Sequence, residues 1–286
     1  ARTITATGCQ ATHNLNVTLQ PLPNPVFSAG AASVCIGDVG KVYTVAPNVA
    51  GHTYTWSISP VGAGTITAGV GTSSITVTWN TNGVAVLQLI QTNNTTLCER
   101  TITSNVQVNL LPGNNITSTT SGLVNVCEDS DHAYQTPNSP FFNYVWTVTN
   151  GTIVGVSTAD KVNVKWASGV LTGTLNLVKT NVLTNCSNTN SVVVNIRALP
   201  TPIVTGASPI CALTSNVYST ALVGGSTYFW EVTDTNGNPV PFVQANNQVT
   251  LTWGTTVTGR VKVTQTNAAT CVASDNKNIA INPLPI

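Results

Sequence analysis

Apolar and polar residues alternate along nearly the whole chain. In Val249-Thr250-Leu251-Thr252-Trp253, one face carries Val, Leu and Trp and the other only Thr. Side chains of a strand point to opposite faces in turn, so this period of two predicts half-buried β-strands. The runs are short and bounded by Gly, Asn and Pro, as strands joined by turns are. No stretch sustains a 3.6-residue period. The longest apolar runs, such as Val84 to Ile90, fall far short of the ~20 residues of a spanning helix, so no membrane insertion is expected.

The pattern repeats. Pro-flanked segments recur as Pro21-Leu22-Pro23, Leu110-Leu111-Pro112, Ala198-Leu199-Pro200 and Pro283-Leu284-Pro285, a period of about 88 residues. Other markers keep the same phase. A first cysteine (Cys35, Cys127, Cys211) is followed by a tyrosine (Tyr43, Tyr134, Tyr218). Then comes Tyr-x-Trp, as Tyr54-Thr55-Trp56, Tyr144-Val145-Trp146 and Tyr228-Phe229-Trp230. A second tryptophan (Trp79, Trp166, Trp253) ends an alternating run. Thr-Asn follows (Thr92-Asn93, Thr180-Asn181, Thr266-Asn267), and then a second cysteine (Cys98, Cys186, Cys271). Three repeats result, at 24–111, 112–199 and 200–286. Residues 1–23 fit the end of the template, the C-terminal hairpin of a truncated repeat: Arg2 to Thr7 as the penultimate strand, Gly8-Cys9 as the turn, Ala11 to Leu19 as the last strand.

About seven short strands in each repeat predict an all-β chain of tandem Ig-like β-sandwiches. A closed barrel would need longer, more uniform strands. Trp56, Trp79, Trp146, Trp166, Trp230 and Trp253 are assigned to the structural core, because each recurs with apolar neighbours on its own face. The alternative, an aromatic platform for sugars, needs ring faces exposed together.

The seven cysteines follow the repeats. One bridge per repeat is expected: Cys35 with Cys98, Cys127 with Cys186, Cys211 with Cys271. Cys9 is the second cysteine of the truncated repeat, so its expected partner lies upstream of this chain. Closing a loop of about 60 residues is worth roughly 4 kcal/mol on the chain-entropy model. Such bridges imply an oxidising, extracytoplasmic setting. The first cysteine precedes the Tyr strand and the second lies in the last hairpin turn, so each bridge reads as a staple near one end of its sandwich. Zinc is disfavoured, since its ligands cluster.

Composition narrows the function further. The chain of 286 residues carries 10 Lys and Arg against 9 Asp and Glu, a net charge of +1. Nothing here would release counterions from a polyphosphate, so a nucleic-acid partner is excluded. The polar surface comes instead from 47 Thr and 32 Asn. Met is absent, which suits a processed or partial product. No catalytic residue is assigned. His13, His52 and His132 occupy non-equivalent places, with no Gly-x-Ser-x-Gly beside them. The one acidic cluster, Glu128-Asp129-Ser130-Asp131, reads as a solvated turn, with Ca²⁺ as its alternative. Its counterparts Ile36-Gly37-Asp38 and Ala212-Leu213-Thr214 lack the charges. No metal and no cofactor is expected. Sequons such as Asn16-Val17-Thr18 and Asn150-Gly151-Thr152 carry little weight in a chain so rich in Asn and Thr.

The series Cys…Tyr…Tyr-x-Trp…Val-x-Trp…Thr-Asn…Cys…Leu-Pro resembles the PKD-like, Ig-like repeats of very large secreted surface proteins of Bacteroidota. The resemblance implies secretion through the type IX system, a sorting domain downstream, and a stalk or adhesin role. The Trp-Asp-Phe-Gly-Asp-Gly signature of PKD domains proper is absent. The function expected is a structural extracellular stalk or filament. Its alternatives are an adhesin segment binding glycan or protein and a non-catalytic spacer of a secreted enzyme. The expected partners are neighbouring repeats of the same polypeptide, end to end, with lateral copies in a bundle. Short Pro-rich joints without a Gly/Ser stretch favour stiffness.

Overall fold

The computed structural model describes residues 2–3, 9–119 and 124–285. Its described residues contain strands and no helix. They divide into two compact units, residues 1–113 with 180–188, and residues 114–179 with 189–286.

In the first unit, β1 (Arg2–Thr3) pairs antiparallel with β2 (Gln10–Ala11). Residues 4–8 lie outside the described residues. The last strand expected over Ala11 to Leu19 ends at Ala11. The chain continues without regular structure to Pro25, and Leu15, Val17 and Leu19 stand in solvent. An alternating sequence becomes a strand only where a neighbour pairs its backbone, and among the described residues no strand pairs with residues 12–19.

The sandwich of this unit follows: β3 (Val26–Ala29), β4 (Ser33–Cys35), β5 (Lys41–Ala46), β6 (His52–Ser59), β7 (Gly64–Ala68), β8 (Ser74–Trp79), β9 (Gly83–Asn93) and β10 (Glu99–Asn109). One sheet has the order β3-β5-β8-β7 and the other β4-β10-β9-β6. The opening strand splits between them. β3 pairs antiparallel with β5, while β4 runs parallel to β10, with Cys35 opposite Asn109. Gly30 makes the crossing at φ 142°. A Cβ there would sit 2.3 Å from the Tyr43 ring, so only glycine passes. This split yields more strands than the seven expected.

The second unit holds two sandwiches. The first comprises β11 (Thr117–Ser118), β12 (Asn125–Cys127), β13 (Asp131–Gln135), β14 (Phe142–Thr149), β15 (Gly151–Val154), β16 (Lys161–Trp166), β17 (Thr172–Asn181) and β18 (Ser187–Arg197). Its sheets are β11-β13-β16-β15 and β12-β18-β17-β14. The second comprises β19 (Ile210–Cys211), β20 (Ser215–Ser219), β21 (Thr227–Asp234), β22 (Phe242–Ala245), β23 (Gln248–Thr252), β24 (Thr258–Thr266) and β25 (Val272–Asn282). Its sheets are β20-β23-β22 and β19-β25-β24-β21. The same parallel pairing returns, with Cys127 opposite Arg197 and Cys211 opposite Asn282.

Both tryptophans of the template enter these cores. Trp79, Trp166 and Trp253 are fully buried, and each stands edge-on to the repeat's first tyrosine, at 5.9, 6.2 and 6.3 Å between ring centres. Trp146 and Trp230 are buried and Trp56 partly so. Their indole N–H groups donate to Ala159 O, Asn246 O and Thr72 O respectively. Tyr54, Tyr144 and Tyr228 accept a backbone N–H from five residues upstream, at 2.8, 2.9 and 2.8 Å. No ring face of these six tryptophans is presented as a platform.

Candidate functional site

The feature that stands out is the set of cysteines at the two ends of each sandwich. The first cysteine ends a short strand whose neighbour is the last residues of the repeat's final strand. The next two backbone N–H groups close a tight turn on that neighbour and on the second tryptophan. Ile36 donates to Asn109 O and Gly37 to Trp79 O; Glu128 donates to Arg197 O and Asp129 to Trp166 O. Ala212 and Leu213 do the same toward Asn282 O and Trp253 O. We call this the base.

The second cysteine closes the hairpin between the last two strands, which we call the tip. There an asparagine organises the turn. Asn93 Oδ1 accepts from Thr95 and Thr96 N–H, Asn181 Oδ1 from Leu183 and Thr184, and Asn267 Oδ1 from Ala269 and Cys271. The residue before each cysteine takes a positive φ: Leu97 at 60°, Asn185 at 58°, Thr270 at 66°. The asparagine N–H then bonds the cysteine carbonyl, at 3.0, 2.9 and 3.0 Å.

Base and tip of one repeat cannot meet. In the first sandwich β10 starts at Glu99, beside the tip, and ends at Asn109, opposite Cys35. Ten residues of strand separate them by roughly 33 Å, whereas bridged cysteines need Cα atoms within about 7 Å. The pairing expected within each repeat is therefore corrected. Cys35 is bonded to Cys186, and Cys127 to Cys271, each with Cα atoms 5.6 Å apart. Each bridge joins the base of one repeat to the tip of the next. Cys98 and Cys211 are free thiols, Cys98 partly buried and Cys211 exposed. Cys9 is exposed.

Each bridge sits inside a single compact unit: Cys35 and Cys186 belong to the first, and Cys127 and Cys271 to the second. Polar contacts support them. Asn188 Nδ2 donates to Pro112 O at 3.0 Å, and Asn267 Nδ2 to Ala198 O at 3.0 Å, so tip side chains hold the Pro-rich joints. Glu128, expected in a solvated turn or a Ca²⁺ site, instead accepts Leu199 N–H on one oxygen and Gly169 N–H on the other, at 2.8 and 2.9 Å. Among the described residues no group of three or more His, Cys, Asp or Glu side chains gathers as a ligand set. The histidines are scattered: His13 lies in the exposed N-terminal segment, His52 accepts from Gln91, and His132 bonds Ser130.

The two backbone hydrogen bonds hold the Glu128 carboxyl below its ordinary range, the one from Gly169 most strongly. A lowered value means stability that is present above the unfolded value and lost as pH falls through the folded one. Glu128→Gln is therefore expected to lower the Tm slightly at pH 7, the carboxylate being near the surface. The difference from the unsubstituted chain should begin to shrink below about pH 4, the ordinary carboxylate range, and vanish beneath the lowered folded value, as a pH series of thermal melts would read.

One polar position behind the tip was not legible in the sequence. Gln91, Lys179 and Gln265, each two residues before the tip asparagine, are almost fully buried. Lys179 Nζ donates to Pro137 O at 2.8 Å and lies over the Phe142 ring at 4.4 Å, and burial lowers its pKa. The matching phase of three polar side chains on an apolar face was the available signal.

A family model described as PKD-like domain matches residues 21–108 and 197–281, more than half of the chain. No curated protein matches. Solved structures that match include SGBP-B of a Bacteroides ovatus mixed-linkage glucan utilization locus, in complex with a mixed-linkage heptasaccharide. It is 16% identical, over 95% of this chain and 72% of that one, at a TM-score of 0.22. The I67–I69 fragment of the titin I-band is 12% identical over 93% and 100%, at 0.36. The eight N-terminal Ig domains of Down syndrome cell adhesion molecule are 11% identical over 92% and 37%, at 0.39. At these identities and scores the structures carry no argument about ligand or partner.

Proposed function

Because the chain belongs to the PKD-like domain family, we propose that it is a non-catalytic, load-bearing segment of an extracellular stalk. Its tandem sandwiches are locked to one another by base-to-tip disulfides. The observation that carries this reading is the pairing of Cys35 with Cys186 and of Cys127 with Cys271. Disulfides persist in oxidising compartments, which supports an extracellular setting, and the short Pro-rich joints favour stiff connections.

The consequence is mechanical. The two bridged loops overlap between residues 127 and 186. The shortest covalent route from Cys35 to Cys271 crosses one bridge, runs back from 186 to 127, and crosses the other. That route has about 60 residues against about 240 along the chain. Tension applied to the two ends therefore cannot draw out most of the polypeptide even when the sandwiches unfold. Each bridge takes its enclosed loop out of the load path, except for the stretch between 127 and 186 that the two loops share.

Single-molecule stretching between the termini tests it. Fully extended residues span about 3.5 Å each, so the oxidised chain should stop near ~380 Å and the reduced chain near ~1,000 Å. An oxidised chain that extends to the reduced length would overturn the load-bearing reading.

A further inference from the structure

Besides Cys9, two cysteines lie outside the bridges, and they are not alike. Cys211 is a base cysteine and Cys98 a tip cysteine. Each is held in the frame that its bonded counterparts occupy. At Cys211, the next two N–H groups bond Asn282 O and Trp253 O at 2.9 Å. The bonded Cys127 has the same pair at 2.9 Å, and the bonded Cys35 at 2.8 Å. The turn residue after the base has a positive φ in all three: Gly37 at 84°, Asp129 at 55°, Leu213 at 62°. Leucine holds this conformation at a cost that glycine does not carry, so the base is built even where no partner is bonded. At Cys98, the Asn93 turn repeats that of Asn181 bond for bond. The cysteine N–H donates to Thr96 Oγ1 at 3.4 Å, as Cys186 does to Thr184 Oγ1 at 3.3 Å.

Twice in this structure a base of this form holds a tip of this form through a disulfide. We propose that Cys211 is the acceptor for the tip of a second copy of this chain, whose Cys98 closes a third bridge of the same kind. The surfaces offered are the ones already used within the chain, so no new complementarity is required. Base and tip are different patches, and a contact between different patches propagates from copy to copy where a self-complementary one would close. The product is a covalent head-to-tail polymer. In the bond-forming step the two thiols lose two protons and two electrons to a disulfide oxidant such as oxidised glutathione, which leaves as two thiols. The proposal deepens the stalk reading by naming its joining chemistry.

The full chain carrying Cys9→Ser, so that Cys98 and Cys211 are the cysteines outside the two bridges, is incubated in a glutathione redox buffer. Non-reducing electrophoresis should show a ladder at multiples of the 29.7 kDa chain, and peptide mapping should recover Cys98 joined to Cys211. Adding Cys98→Ser or Cys211→Ser should each leave a monomer, and a mixture of the two variants should stop at the dimer. Mapping of Cys35–Cys186 and Cys127–Cys271 in every variant establishes that it has folded. A parent chain that stays monomeric while both internal bridges form would overturn the proposal, as would links joining Cys98 to Cys98 or Cys211 to Cys211. Either result leaves the stalk reading standing if the extension under force remains limited.

Discussion

Replacing Cys271 by serine is expected to cost the second unit up to about 5 kcal/mol against unfolding. That is the chain-entropy value for a cross-link spanning 144 residues. The loss is largest if both sandwiches of that unit unfold together, and smaller if each unfolds alone. The same substitution should expose the thiol of Cys127, so the variant titrates one more thiol than the unsubstituted chain. Cys186→Ser should do the same for Cys35 and leave the Cys127–Cys271 bridge intact. Denaturant unfolding followed by tryptophan fluorescence, with thiol counting on the native protein, reads both effects. A Cys271→Ser chain in which Cys127 is found bonded to Cys186 would contradict the base-to-tip assignment directly. It would require two groups roughly 33 Å apart along a strand to have met.

The second large effect belongs to the core. Trp166→Ala should destabilise its sandwich by about 3–5 kcal/mol, the range for removing a buried aromatic side chain. The ring is fully buried, its Nε1 donates to the Tyr134 hydroxyl at 3.1 Å, and it fills the space above Gly173. Truncation leaves a cavity and orphans a buried hydroxyl at once. Trp56→Ala, at a site only partly buried and with a bond to an exposed loop carbonyl, should cost less than half as much. Urea melts of the two variants compare them, and equal losses would mean that the cores are not organised around the second tryptophan.

Alternation of apolar and polar residues determined the strands by itself. A strand shows its two faces to two environments, and Val249 to Trp253 can be buried on only one of them. The in-phase Tyr-x-Trp and Val-x-Trp elements likewise determined which tryptophans enter the cores, because each recurs with apolar neighbours on its own face. The limit came where a neighbour was needed. Ala11 to Leu19 alternates as well as any strand in the chain, yet beyond Ala11 it finds no partner strand among the described residues, and Leu15, Val17 and Leu19 stand in solvent. The acidic cluster is the same case on a smaller scale. Only the approach of Gly169 and Leu199 made Glu128 a clamp on the joint.

The cysteines show the division most clearly. Their phase in the sequence established that each repeat carries one of each kind and that bridges form between the two kinds. The expectation that a first cysteine takes the second cysteine of its own repeat was wrong, since pairing with that of the next repeat keeps the same phase. Tertiary structure decided this through length. The parallel pairing of the opening strand with the final one puts the first cysteine at the far end of an 11-residue strand from the second. A disulfide cannot span that distance, so the bond passes to the neighbouring repeat.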